Sequence, residues 1–388
     1  MPDVHAKLSA SGAKKWLNCP GSVAMEAGFP NEESSYAREG TNAHSLGEAK
    51  IRLATKELTK AKYAKTIKGL EITEDMEGYT DDYRDFVLER FHAAKAKTPD
   101  AVLLLEQRLD FSQWVPGGFG TGDCVIVASG YLEIIDLKYG AGVVVPVEDN
   151  PQLRLYALGA CEAWDYLYGI EEVTMTIYQP RRDNISTETI SAEELYLWAA
   201  WVKERAELAN SGTEDCVAGS HCDDGFCKAR PVCRAYADSC NRLAALDFKQ
   251  PNLLNEEEIS EVLELSGRLV KWAELVKAYA LDQAKQGTKF PGYKLVEGRS
   301  SRSFTVSDGV ILSALCGAGL NEEEAMVHRL RTVADMEKTY GKKDFNEALG
   351  RYVTKEAGAP TLVPITDKRP EIGSASAAAE DFKTIINE

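Results

Sequence analysis

Residues 123–139 read Asp-Cys-Val-Ile-Val-Ala-Ser-Gly-Tyr-Leu-Glu-Ile-Ile-Asp-Leu-Lys-Tyr (DCVIVASGYLEIIDLKY). Two apolar runs, Asp123–Ala128 and Tyr131–Tyr139, flank Ser129-Gly130, which reads as a tight turn between antiparallel strands. Upstream, Ala101–Phe111 (AVLLLEQRLDF) has the composition of another strand, and Gly120-Thr121-Gly122 reads as a turn leading into Asp123. Downstream, Asn150-Pro151 opens a helix to about Tyr168, since asparagine caps and proline suits the first helical position. Val173–Gln179 is a fourth strand, and Ser191-Ala-Glu-Glu194 is a capping box that starts a helix to about Asn210. This order predicts an α/β fold, a mixed central sheet flanked by helices.

The residues before this core read as helical. A short helix passes through Trp16 and Leu17, with Ser9 or Ser11 as its cap, and stops at Asn18-Cys19-Pro20-Gly21; longer ones span Ser35–Glu57 and Met76–Lys95. After the core, residues 211–242 form a cysteine-rich loop. A helix runs from about Asn255-Glu-Glu-Glu258 to Gln286, Phe290–Phe304 reads as a hairpin, and short helices lie near 321–332 and 343–350. The expected division is a core domain at 1–242, a mainly helical accessory region at 243–365 and a loosely ordered tail at 366–388.

The net charge of −16 excludes a basic nucleic-acid coat or architectural protein, but not an enzyme with a locally basic cleft. The N-terminus has no apolar signal segment and no run of 18 apolar residues occurs, so a cytoplasmic protein without a membrane span is expected.

Alternate residues of a strand share a face, so Asp136 and Lys138 point together while Leu137 points to the buried side. A carboxylate and an ammonium side by side are costly in a core and useful for holding a divalent ion and a water. Asp123, across the turn, can reach the same ion, whereas Glu133 lies on the opposite face. Hard oxygen donors of this kind suit Mg²⁺ or Mn²⁺. Glu106 sits on the preceding strand, Gln152 and Tyr156 are four apart on the following helix, and His44 follows Gly40-Thr41 on an upstream helix. Taken singly these are commonplace: D-x-K is usually a surface ion pair and Gln/Tyr a helix surface pair.

Nine cysteines occur, and five of them fall between Cys216 and Cys240. In a reducing compartment such a cluster reads as metal ligation rather than disulfides. Cys124, Cys161 and Cys316 sit in apolar surroundings and read as small buried hydrophobes. Lys228, Arg230 and Arg234 interleave with the cluster as either a phosphate-contacting patch or a solvated charged loop, and His221 adjoins Cys222 as a neighbour rather than a ligand.

The ordered series G-T-x-x-H, strand Glu, G-D, D-x-K and Q-x-x-x-Y resembles the RecB-like branch of the PD-(D/E)xK nucleases, which includes the RecB and AddB nuclease domains, the CRISPR adaptation exonucleases and phage lambda exonuclease. The motifs cover about residues 9–240. HAKLSASGAKKWLNCPGS, GYKLVEGRSSRSF and PTLVPITDKRPEI extend the likeness, over most of the chain, to a phage and prophage family of such proteins. The resemblance implies a restriction-endonuclease-like core. It implies that His44, Asp123, Asp136 and the Leu137 carbonyl hold metal, that Lys138 positions or activates water, and that Gln152 and Tyr156 support substrate and site. It also implies a structural [4Fe–4S] cluster on Cys19, Cys222, Cys227 and Cys233. The first gap is four residues where that family usually has two, so Cys216 or Cys240 can stand in for Cys222, and Zn²⁺ is the alternative occupant.

The function expected is metal-dependent hydrolysis of single-stranded DNA or duplex ends in phage recombination or processing, with a recombinase or single-strand-binding protein as partner. Two alternatives stand beside it: an inactive DNA-end-binding or scaffold protein, and a zinc-bound interaction module.

Overall fold

The structure is a computed structural model that describes residues 6–30, 35–241 and 256–293. Backbone contacts divide the chain into a unit spanning Met1–Thr288 and another spanning Lys289–Glu388. The first unit holds the sheet and the candidate site. The expected helices near 321–332 and 343–350, the tail and most of the 290–304 hairpin lie outside the described residues.

The core is a five-stranded sheet in sequential order: β1 (Val102–Asp110), β2 (Phe119–Ala128), β3 (Tyr131–Leu137), β4 (Glu172–Gln179) and β5 (Asn184–Ser191). Neighbours are antiparallel except β3 and β4, which run parallel. A parallel pair needs a crossover, and α6 (Pro151–Tyr168) supplies it. Asn150 accepts hydrogen bonds from the Gln152 and Leu153 N–H groups, Pro151 follows it, and Gly169 closes the helix in the left-handed region at φ 56°. The mixed sheet flanked by helices is therefore as the sequence predicts.

Helices cover both faces. On one, Leu132, Ile134, Val125 and Val127 pack with α6, α1 (Ala13–Asn18) and α7 (Ala192–Ser211). On the other, Cys124, Ile126, Ile135 and Leu137 pack with α3 (Ser35–Ala54) and α5 (Glu74–Lys97). The capping box at Ser191 forms, its side chain accepting from the Glu194 N–H at 3.1 Å. Neither Ser9 nor Ser11 caps α1: its N-cap is Gly12, without a side-chain cap, and Ser9 Oγ accepts the Gly12 N–H at 3.2 Å ahead of the helix.

Three readings need correction. Gly120-Thr121-Gly122 is strand, not turn: it pairs with Gln107–Leu109, and the connection lies at Phe111–Gly118. These glycines serve close approach, since a Cβ at Gly120 would lie 2.5 Å from the Tyr156 ring and one at Gly122 2.8 Å from Leu109. Strand β5 is absent from the sequence reading, as are α4 (Lys60–Ile67) and the short α2 (Ser22–Glu26). Beyond α7, α8 (Ser220–Asp224) and α9 (Arg234–Asn241) occupy the region expected to be loop, and α10 (Glu256–Lys285) matches the helix expected there. Among the described residues no helix is long and apolar enough to cross a membrane.

Candidate active site

The β2–β3 ladder ends at Cys124↔Ile135, so Asp123 and Asp136 face each other where the two strands part. The strands change phase at this level. On β1, Leu105 packs on the α5 side, but Leu109 packs on the α6 side. On β2, Cys124 faces α5, while Gly122 and Gly120 face Leu109 and Tyr156. The switch falls at Glu106, which takes a left-handed backbone at φ 48°. That conformation is unusual for a residue with a side chain and is typically held by its surroundings at functional positions. Glu106 and Asp123 consequently turn to the α3 side, where His44 projects from α3.

His44 Nδ1 lies 3.2 Å from Asp123 Oδ1. One ligand atom from each of His44, Glu106 and Asp123 falls within 4.8 Å of the other two. Asp123 Oδ2 accepts the Leu137 N–H at 2.8 Å. A strand residue aims its N–H and C=O to the same side, so the Leu137 carbonyl also faces the gap beside β2. From the α6 side, Lys138 Nζ lies 2.8 Å from Asp136 Oδ2 and donates to Gln152 Oε1 at 3.0 Å. The Gln152 amide donates to Asp136 Oδ1 at 3.3 Å and to the Tyr156 hydroxyl at 3.2 Å. Asp136 Oδ2 is buried, and the Lys138 ammonium is its one close partner. One imidazole and two carboxylates whose ligand atoms converge within 4.8 Å supply the donor set a cation site requires, so the residues present fit a divalent ion.

The electrostatics agree. Burial disfavours the imidazolium of His44, but the Asp123 carboxylate outweighs it and lifts the group to about 9. Burial, then the charge of Asp123, pushes Glu106 up to about 7. Burial also raises Asp136, with the Lys138 ammonium only partly offsetting it. Asp123 is likewise buried, yet His44 holds it below the usual carboxylate range. Burial works against the Lys138 charge, but Asp136 keeps it protonated. Four acidic or imidazole groups thus compete for charge where a cation would relieve them.

Glu133 takes no part. It is buried under α5, on the face away from Asp136 but shared with Glu106 and Asp123 and further back along β3, where Arg90 Nε donates to it at 2.9 Å and the Tyr131 hydroxyl at 2.9 Å. The sequence reading did not find Gln179, the buried end of β4. Its amide donates to the Gly140 and Val143 carbonyls at 2.9 and 2.8 Å and accepts from the Val145 N–H at 3.1 Å. It thereby pins the loop joining Lys138 to Gln152. Its only sequence signal is a polar residue ending an apolar strand.

Five cysteines gather at a second place. Cys19, Cys216, Cys222, Cys227 and Cys233 line one cavity together with His221 and Tyr236. Cys240 packs beside Cys222 and Tyr236 but does not line the cavity. The Val217 N–H donates to Cys19 Sγ at 3.3 Å. Burial would raise the Cys19 thiol, but His221 and this N–H draw it below its ordinary value. Burial, with Cys19 and Cys233 alongside, pushes Cys216 up to about 12. Convergent thiols around one cavity fit a thiolate-bound metal centre. Arg230 is engaged locally, donating to the Cys227 carbonyl at 2.9 Å and to Asp223 at 3.1 Å, so its charge serves the loop. Cys124 and Cys161 are buried in the core, as expected; Cys316 lies outside the described residues.

The crystal structure of SSO0001 is similar over 56% of this chain and 95% of that one, at 14% identity and a TM-score of 0.23. The profile of the family described as "Protein of unknown function (DUF2800)" matches residues 5–370, nearly the whole sequence, and the chain therefore belongs to that family.

Proposed function

We propose that this chain is a divalent-metal-dependent deoxyribonuclease of the RecB-like PD-(D/E)xK type, acting as an exonuclease on single-stranded DNA or duplex ends. The observation that carries the reading is the meeting of His44, Glu106 and Asp123 within 4.8 Å at the gap in the sheet where Asp136 and Lys138 also stand. His44, Glu106 and Asp123 are the donors that converge and would hold the metal; the family resemblance adds Asp136 and the Leu137 carbonyl, although Asp136 lies outside the 4.8 Å set and is paired with Lys138. An imidazole in the set tilts the choice from Mg²⁺ toward Mn²⁺. The bound ion would offset phosphoryl charge and acidify water.

The protein's own contributions follow from its geometry. Lys138 is held protonated by Asp136, so it serves as a fixed positive centre beside the phosphate rather than as a base. Gln152 fixes Lys138 and Asp136 together, and Tyr156 fixes Gln152. Glu106, held up at about 7 by burial and the Asp123 charge while no cation is present, would give up its proton as the ion binds.

The cysteine cavity is read as a [4Fe–4S] site. A tetrahedral Zn²⁺ with sulfur at ~2.3 Å draws its thiolates to about 3.8 Å from one another. Cys216 has Cys19 and Cys233 alongside it, so spacing does not separate the two centres, and iron and acid-labile sulfide content decides between them.

The test is digestion of end-labelled single- and double-stranded DNA with Mn²⁺ or Mg²⁺. Asp136→Asn and Lys138→Met should each lower cleavage by about 10²–10³-fold, the usual loss for one electrostatic contributor. Wild-type protein that binds DNA ends and never cuts them would support the scaffold alternative. Cleavage that survives both substitutions would refute the site.

A further inference from the structure

Arg108 lies on β1 two residues beyond Glu106, about 6.8 Å along the strand. Its guanidinium stacks 3.7 Å above the Phe119 ring of β2. The side chain is exposed, and among the described residues it enters no ion pair, whereas Arg52 and Arg181 are each tied to a glutamate. Asp110, two residues on, feels the Arg108 charge without forming an ion pair with it and accepts the Ser112 N–H at 2.9 Å. In a chain of net charge −16, an arginine left uncommitted beside a carboxylate-rich site calls for an anionic partner.

The phase switch at Glu106 decides where Arg108 points. Beyond it Leu109, Gly120 and Gly122 face α6. By alternation Arg108, Phe119 and Thr121 share the other face, the one on which Glu106, Asp123 and His44 meet. Phe119 is half-buried, so its ring is a fixed base for the guanidinium and turns the fork of N–H donors outward.

We propose that Arg108 and Phe119 form a landing platform for the DNA strand, with Arg108 binding the backbone phosphate next to the one cleaved. The inference rests on the nuclease reading above and adds to it the path of the substrate. Phosphate contacts position a strand without reading its sequence, so the platform makes cleavage tolerant of sequence.

The test measures binding of a fluorescein-labelled, mixed-sequence single-stranded oligodeoxynucleotide to the full chain across a potassium chloride series. An Asp136→Asn background prevents cleavage. Adding Arg108→Ala should weaken binding about tenfold, the value of a charge-assisted hydrogen bond, and reduce the salt slope by about 0.7, one single-strand phosphate. Arg108→Lys should keep the slope and recover part of the affinity. With Asp136 restored, Arg108→Ala should raise KM more than it lowers kcat. A single neutral methylphosphonate, moved along the oligonucleotide, should weaken the parent protein at one position next to the cleaved bond and leave Arg108→Ala indifferent there. If Arg108→Ala misfolds, Arg108→Lys and the methylphosphonate scan on the parent still decide. Unchanged affinity and slope in Arg108→Ala, or no sensitive phosphate in the scan, overturns the platform alone when the wild type cleaves DNA. A wild type that neither binds nor cleaves DNA overturns the nuclease reading beneath it.

Discussion

Glu106 holds a φ of 48° in the middle of a strand, a conformation that costs a residue with a side chain roughly 1–2 kcal/mol. Burial and Asp123 also hold its carboxyl up at about 7. Both costs fall on one residue because its position serves the site rather than the fold. A raised carboxyl makes a contribution to folding that is whole below its unfolded value near 4.5 and vanishes as pH rises through about 7. In metal-free protein Glu106→Gln should therefore be nearly neutral at pH 4 and stabilising by about 1–2 kcal/mol at pH 8, allowing for partial solvent screening. Urea unfolding in EDTA at the two pH values checks this; a difference that does not change with pH would deny Glu106 its raised proton affinity. The same variant should bind Mn²⁺ more weakly, so stability and metal affinity should move in opposite directions. The seven candidate residues His44, Glu106, Asp123, Asp136, Lys138, Gln152 and Tyr156 could be named from sequence because their order resembles that of the RecB-like nucleases, with strand and helix period pairing Asp136 with Lys138 and Gln152 with Tyr156. Gln179 and Arg108 could not: one acts through backbone carbonyls of a distant loop, the other through a strand switch that no local pattern announces.

The main misreading of an element concerned the two glycines of β2. Gly-Thr-Gly is a strong turn signal, yet here the missing side chains let α6 settle against the strand, with the Tyr156 ring occupying the space a Cβ would fill at Gly120. Helix α6 carries Gln152 and Tyr156, so this close approach sets their reach to Asp136 and Lys138. Gly120→Ala should push α6 outward, cost about 1–3 kcal/mol as overpacking does, and lower cleavage. Adding Tyr156→Leu should recover stability without recovering activity, since the hydroxyl that orients Gln152 is then gone. Recovery of both would mean that the glycine matters only for packing. Strand β5 escaped notice for another reason. It is an edge strand of half-buried and exposed residues, and it is secured by threonine pairs, Thr174 to Thr189 at 3.0 Å and Thr176 to Thr187 at 3.1 Å, rather than by an apolar run. At the other end of β4, Gln179→Leu removes three hydrogen bonds from the loop between β3 and α6. It should loosen that loop, seen as faster amide exchange at Gly140–Val145, and reduce kcat with little loss of DNA affinity; unchanged kcat would show that the pin is dispensable.

Across the whole molecule the sheet-and-helix core is bracketed by two segments that pack on each other. Cys19 lies just beyond α1, and its partners around the cavity lie beyond α7. The polar ties between these regions are modest: Lys7 reaches Asn210, Arg205 reaches the Leu17 carbonyl, and Lys14 pairs with Asp224 on the surface. Exposed pairs of this kind add little; α1 itself is held by Trp16 and Leu17, buried in the core beside α7, and a thiolate centre would tie the 216–233 segment to it. Cross-linking residue 19 to the 216–233 region closes a loop of about 200 residues, which by chain entropy is worth about 5 kcal/mol. Helix α10 is coupled to the same place, since Leu269 and Trp272 pack against the cysteine cluster and Arg268 lies 3.4 Å from Asp223. Cys19→Ser should therefore do more than remove one ligand. It should bleach the brown colour of anaerobically purified protein, lower its iron and acid-labile sulfide, and release α8–α10 to protease while the sheet and α1, whose Trp16 and Leu17 are buried in the core, stay protected. Cys240→Ser, outside the cavity, should leave iron content intact, and Cys216→Ser should separate a fifth lining thiol from a true ligand. A colourless wild type carrying one zinc per chain would replace the cluster with a single ion. Retained protease resistance in Cys19→Ser would show that the polar ties suffice, and the entropic argument for the centre would then fail.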